Sequence, residues 1–215
     1  MLKNRIFQKK LCVLVIIVMI FIVDFNTFAP SHSVLAKTEL SSPTTLAGAG
    51  LRQAAIDKLK NRVPDYSLSD VLSLDLTAPS GVSVQDLKRV SKKGLVGLEE
   101  EFWQAEQKYG VNCVFLMSIA ALESGWGTSL FRTNNMFGFG SKGFSSKAEC
   151  IDTVARSLKN NYLSEDGPFY YGTSIKHVNR RYAANPQWYL KVGKIMAELY
   201  GDIYDNHQET VKNLN

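Results

Sequence analysis

Residues 112–127 read NCVFLMSIAALESGWG, and the run inside them, 113–122, has no charged side chain. Asn112 is suited to cap a helix N-terminus, and a helix without a polar face has to be buried on most sides. The segment is therefore expected to be the central helix of a helical core. It ends at Glu123, and Gly125 and Gly127 let the chain turn sharply just after it.

Upstream, Leu95, Leu98, Phe102, Ala105 and Tyr109 step by three and four, Glu99, Glu100 and Glu101 fall in the early turns where the helix dipole favours carboxylates, and Gly110 ends the pattern. Downstream, residues 124–146 contain five glycines and no helical period, which predicts a turn-rich lobe or a short β-hairpin. Ser146 and Glu149 have capping-box spacing, and Ile151, Val154, Leu158 and Tyr162 continue as a helix. The chain from Ser164 to Arg181 reads as irregular. Asn185 and Pro186 then fit an N-cap and first helical residue, and Tyr189, Val192, Met196, Leu199 and Ile203 form the inward stripe of a last helix. The expected class is mainly α (α+β), with a compact domain over residues 75–204 and a C-terminal tail over 205–215.

Residues 37–74 are poor in aromatics, with Leu51, Ala55, Ile56, Leu59 and Val63 on one helical face before Pro64, and predict a helical stalk or packing arm. Residues 1–36 read as an export signal: four cations up to Lys10, an unbroken apolar run from Leu11 to Val23, and compact residues before Ala36. That run spans roughly 20 Å as a helix against a hydrocarbon core of roughly 30 Å. Cleavage after Ala36 is the first reading and an uncleaved signal anchor, the one route to a membrane, the second. A lipoprotein is set aside because Cys12 opens the apolar run instead of following it. The signal accounts for +3 of the net charge of +5, leaving the remainder near neutral, with no basic stripe for nucleic acid.

Beyond the signal the cysteines are Cys113 and Cys150, which outside the cytoplasm either close a disulfide or serve as two small buried apolar residues. The histidines, His32, His177 and His207, match no zinc spacing, so neither a metal nor another cofactor is expected.

Glu123 carries the most chemical information. A carboxyl group at the edge of an apolar wall is disfavoured in its charged form, which suits a general acid that must hand a proton to a leaving oxygen. The plainer reading is a helix-end glutamate turned to solvent.

Four motifs set this residue in context: Tyr109-Gly110-Val111-Asn112, Glu123-Ser124-Gly125-Trp126-Gly127, Asn134-Asn135-Met136-Phe137-Gly138, and Tyr182-Ala183-Ala184-Asn185-Pro186. In this order, from about Asp75 to Tyr204, they resemble the glycoside hydrolase family 73 type of endo-β-N-acetylglucosaminidase, lysozyme-like hydrolases of the bacterial wall. The resemblance implies a lysozyme-like fold, the glycan strands of peptidoglycan as substrate and a secreted, wall-associated location. It also implies Glu123 as catalytic acid and Tyr182 as a catalytic or positioning tyrosine. The chain departs from the family in the lobe, where Phe139 to Ser146 contains no carboxylate.

The second catalytic group is accordingly open. Glu149 is the positional choice, although its capping spacing gives it a structural explanation; otherwise the 2-acetamido oxygen of the sugar or a water acts as nucleophile. Trp126, Asn135, Phe137, Tyr170 and Trp188 are candidate substrate contacts. For each a packing role competes, and for Asn134 and Asn135 a lobe-bracing role. Rival readings are a muramidase or lytic transglycosylase of the same fold, a cysteine peptidase using Cys113 with His177, and a wall-binding module without catalysis.

Overall fold

The structure, a computed structural model, describes residues 43–214. The export segment expected over residues 1–36 lies outside the described residues. Within them the helices are α1 (Pro43–Lys60), α2 (Leu68–Ser73), α3 (Val84–Val90), α4 (Glu99–Tyr109), α5 (Cys113–Ser124), α6 (Lys147–Leu158), α7 (Ile175–Tyr182) and α8 (Trp188–Leu214), with a 3-10 turn at Lys93–Leu95 and a π turn at Lys159–Leu163 that prolongs α6. No strand occurs among the described residues.

The charge-free helix is the hub. Every residue of α5 from Cys113 to Ala121 is buried, and the helix packs against α4 and α8, while α4 in turn packs on α6. Its exposed N–H groups are met from two sides. Phe115 N–H donates to Asn112 Oδ1 at 3.0 Å and Cys113 N–H donates to the buried Glu106 carboxylate at 2.7 Å. Asn112 Nδ2 donates onward to Tyr200 Oη on α8 at 2.9 Å, which ties the start of the hub to the longest helix.

Three boundaries differ from expectation. The predicted tail is the last part of α8, whose inward stripe continues through the buried His207 and Val211. The predicted stalk is built into the body: Ile56, Val63 and Val71 are buried, α1 and α2 pack on α8, and the described residues form one compact unit. Leu51 and Ala55 stay exposed, so only part of the predicted α1 stripe is used. Within the stretch expected to be irregular, α7 forms and buries Ile175 and Val178. The lobe over 124–146 folds as turns without a hairpin ladder.

His207 joins the two misjudged ends. Its Nε2–H donates to Asp86 Oδ1 on α3 at 2.7 Å, with both side chains almost fully buried, and Arg62 from the end of α1 stands 3.6 Å from the same carboxylate. Removing one partner of a buried pair strands the other's charge, at a cost of about 3 kcal/mol. His207→Ala is expected to lower the unfolding free energy by that amount in urea denaturation. A loss below about 1 kcal/mol contradicts the structural role given to residues 205–214.

Candidate active site

A cleft of about 390 Å3 opens at the C-terminal end of α5, lined by Glu123, by residues 137–140 of the lobe, and by Tyr162, Tyr182 and Ala183. The structure thus brings together Glu123, Phe137 and Tyr182, three of the residues singled out from the sequence. It adds Tyr162 and Phe139, which sequence periodicity had assigned only to helix packing or to the lobe.

Glu123 is exposed to this cleft, not sealed in an apolar wall. Its Oε1 accepts a 2.7 Å hydrogen bond from Nε1–H of the buried Trp188, at the start of α8. The desolvation expected from the neighbouring apolar run is therefore absent until a ligand covers the carboxyl group. Trp188, a candidate for stacking on sugar, instead stands behind the carboxyl group and aims it. Its ring lies 4.9 Å from that of Tyr182, which in turn meets Tyr162 edge-on at 5.7 Å.

Tyr182 is partly exposed, yet its hydroxyl oxygen is buried and has no hydrogen-bond partner. Burial, and then the charge of Glu123, push the phenol well above the ordinary tyrosine range. It therefore remains a neutral O–H near the carboxyl group and does not serve as a base.

The turn below Glu123 is fixed by close backbone contact. Gly125, Trp126 and Gly127 all take positive φ, at 56°, 65° and 76°. Gly94 N–H donates to Trp126 O at 2.9 Å, and a Cβ on Gly127 would lie 2.8 Å from the Gly94 carbonyl carbon and oxygen. Lys147 Nζ clamps the crossing by donating to Gly94 O at 2.7 Å and Gly127 O at 3.2 Å. Ser124 Oγ, bonded to Ala120 O, accepts from Gly127 N–H at 2.8 Å.

Residues 99–201 match the family described as Glucosaminidase, mannosyl-glycoprotein endo-beta-N-acetylglucosaminidase. Over these residues, a little under half of its length, the chain is similar to that family. Two Streptococcus pneumoniae proteins named "Putative endo-beta-N-acetylglucosaminidase", from strains TIGR4 and R6, are each 28% identical over 142 residues, which is 58% of this chain. The matched part is only 21% and 20% of those proteins, so this chain spans about a fifth of the length of these relatives. Among solved structures, S. aureus autolysin E in complex with the muropeptide NAM-L-Ala-D-iGlu superposes with a TM-score of 0.52 at 20% identity, covering 68% of this chain and 77% of that one. A catalytic mutant of autolysin E in complex with the disaccharide NAG-NAM gives 0.52 and 20%, covering 67% and 76%. At this identity the likeness is one of fold, and it places the domain in the lysozyme-like class.

Around the Glu123 cleft several candidate contacts turn out to be braces. Trp126 is half-buried beneath Lys92, whose Nζ lies 5.1 Å from the ring centre, and does not line the Glu123 cleft. Asn135 is buried with its amide fully committed: Nδ2 donates to Phe139 O and Lys142 O, and Oδ1 accepts from Phe139 N–H. Asn134 bridges to the carbonyls of Phe144 and Ser145, so both asparagines hold the lobe in place of ladder bonds. Tyr170 closes a turn onto Gly167 O and does not line the cleft.

Glu149 is likewise structural. Its N–H donates to Ser146 Oγ as expected of a cap, but its carboxylate reaches back to Ser145 N–H at 2.7 Å and to Ser145 Oγ. These bonds hold its pKa down, and the residue is excluded as the second catalytic group by position, since it lies outside the Glu123 cleft. Cys113 and Cys150 are separate buried thiols, which decides the open choice against a disulfide. Burial raises both, Cys150 to about 11. His177 shares its hydrogen bond with Ser174, leaving Cys113 without the base a cysteine peptidase requires. Among the described residues no three His, Cys, Asp or Glu side chains are grouped to hold a metal ion.

The glycine crossing gives a test of how the site is held. Gly127→Ala adds a methyl group where backbone already stands and forces an alanine to positive φ, and is expected to cost about 3 kcal/mol in urea denaturation. A variant within about 1 kcal/mol of wild type contradicts the crossing.

Proposed function

We propose that this chain hydrolyses the β-1,4 bond that follows N-acetylglucosamine in peptidoglycan, with Glu123 as general acid. The observation that carries the reading is that, among the described residues, Glu123 is the single carboxylate lining the cleft, aimed by Trp188 and accompanied by the unpartnered hydroxyl of Tyr182. The endo-beta-N-acetylglucosaminidase description of the matched family supports it, as do the NAG-NAM and muropeptide complexes of the similarly folded autolysin E. An export signal over residues 1–36 and a place in the cell wall fit the same reading.

With one carboxylate in the cleft, the substrate supplies the second group. Glu123 donates its proton to the oxygen leaving toward the muramic acid sugar as the 2-acetamido oxygen of N-acetylglucosamine attacks the anomeric carbon and the glycosidic bond breaks. The resulting oxazolinium is opened by water, whose proton returns to the Glu123 carboxylate, with net retention at the anomeric carbon. A bound glycan excludes water from Glu123, supplying the desolvation that the open cleft lacks. Tyr182, neutral and already dehydrated at its oxygen, donates a hydrogen bond to the sugar at the reacting end at little further desolvation cost.

Digestion of purified wall is expected to leave N-acetylglucosamine at the new reducing ends, and Glu123→Gln to slow their release by at least about 100-fold with the fold intact. N-acetylmuramic acid at those ends, read by mass spectrometry, contradicts the assignment and indicates a muramidase. Unchanged release by the variant indicates a wall-binding module. Tyr182→Phe removes a buried, unsatisfied hydroxyl, so unfolding stability should be equal to or above wild type while kcat falls about tenfold. A variant that loses stability and activity together contradicts the positioning role.

A further inference from the structure

Beside the Glu123 cleft lies a second groove of about 260 Å3, lined by Lys176 and Arg180 of α7 together with Ala183, Ala184, Pro186 and Tyr189. Ala183 lines both, so the two are neighbours across one short strap of chain. That strap is held rigidly: Asn179 Nδ2 donates to Asn185 O at 3.0 Å and to Ala183 O at 3.4 Å, and its Oδ1 accepts from Tyr189 N–H.

The cations of this groove have no counter-charge. Lys176, Arg180 and the adjacent Arg181 are exposed, and none takes part in an ion pair among the described residues. Helix electrostatics explain only part of the cluster. Arg180 and Arg181 fall in the last turn of α7, where a cation suits the dipole, but Lys176 stands in the first turn, where it does not, and it lies one turn from Arg180 on the same face. The guanidinium groups are also ordered in advance: Arg180 lies over the Tyr171 ring at 4.1 Å, and Arg181 Nε–H donates to Tyr171 Oη at 3.2 Å.

We propose that this groove is a subsite for the carboxylates of the peptide stem carried by the muramic acid sugar next to the cleaved bond; the inference rests on the glycan reading of the Glu123 cleft. A stem residue advances about 3.5 Å when extended, so a stem carboxylate is a near neighbour of the sugar it hangs from, as the shared Ala183 wall requires. The lining suits this ligand, since two cations with alanine, proline and tyrosine match alternating apolar side chains and single carboxylates. A polyphosphate would call for a continuous line of charge.

The test compares glycan strands that carry stems with strands stripped of them by an amidase, both freed of teichoic acid by hydrofluoric acid. Wild type is expected to show a KM about tenfold lower for stem-bearing strands. The double variant Lys176→Gln/Arg180→Gln should lose that preference at unaltered thermal stability, and Lys176→Arg should keep it. A wild type without preference, or a double variant that retains it, overturns the subsite. So does a double variant whose only loss, measured in parallel on wall that still carries teichoic acid, is on that wall, which assigns the groove to phosphodiesters. Wild type that releases reducing ends from neither strand overturns the glycosidase reading itself, and the subsite with it.

Discussion

Two backbones cross at Gly94 and Gly127 with no room for a side chain on either, and the lysine ammonium of Lys147 bonds both carbonyls at the crossing. This contact determines where α5 stops, and so where Glu123 stands. Gly125 and Gly127 accept the left-handed backbone readily; Trp126 does so at a cost of about 1–2 kcal/mol, compensated by its packing under Lys92 and its carbonyl's bond to Gly94. Because Lys147 opens α6 and residues 92–95 lead into α4, the turn is anchored to the helices that precede and follow the hub in the chain. The helix end is thereby a fixed mount and not a frayed terminus.

On that mount the cleft accepts local penalties that a purely structural site would remove. The Tyr182 hydroxyl is dehydrated without a partner, and the Glu123 carboxyl group has one protein donor and otherwise faces solvent. Both are incomplete in a way that a sugar bearing hydroxyl and amide groups would complete. The same logic extends along the strap to the uncompensated cations of α7. Unpaired polar groups line the two adjoining grooves, whereas Glu106, Asn112, Asn135 and Asp86 inside the body are engaged; Ser91, Glu101, His207 and Gln208 each keep one buried unpaired atom elsewhere.

Much of this was legible in residue order. The uncharged run fixed α5 as buried, its asparagine cap and glycine stop were visible, and a helix-ending glutamate before two glycines marked the site. What failed did so where burial depends on distant partners. The last helix was cut short at Tyr204 although His207 and Val211 continue its stripe, because histidine counts as polar until Asp86 is known to meet it. Helix α7 was missed because its basic residues outnumber the two apolar ones that it buries, and Ser174 makes no capping bond. The turn-rich lobe was legible from its glycines, but not that asparagine side chains, in place of a hairpin ladder, do the joining. The desolvation of Glu123 was inferred from its own helix alone; Trp188, 65 positions later, could not be placed behind it from spacing.

The account turns on one role for one atom group: Glu123 gives a proton to a departing oxygen. The most direct measurement compares wild type and Glu123→Gln on a chitooligosaccharide and on the same sugar bearing a dinitrophenyl leaving group, which departs without protonation. The account predicts that the variant is crippled on the first and close to wild type in the bond-breaking step of the second. Equal loss on both would contradict it, showing that the carboxylate acts on the sugar itself or merely holds the site together.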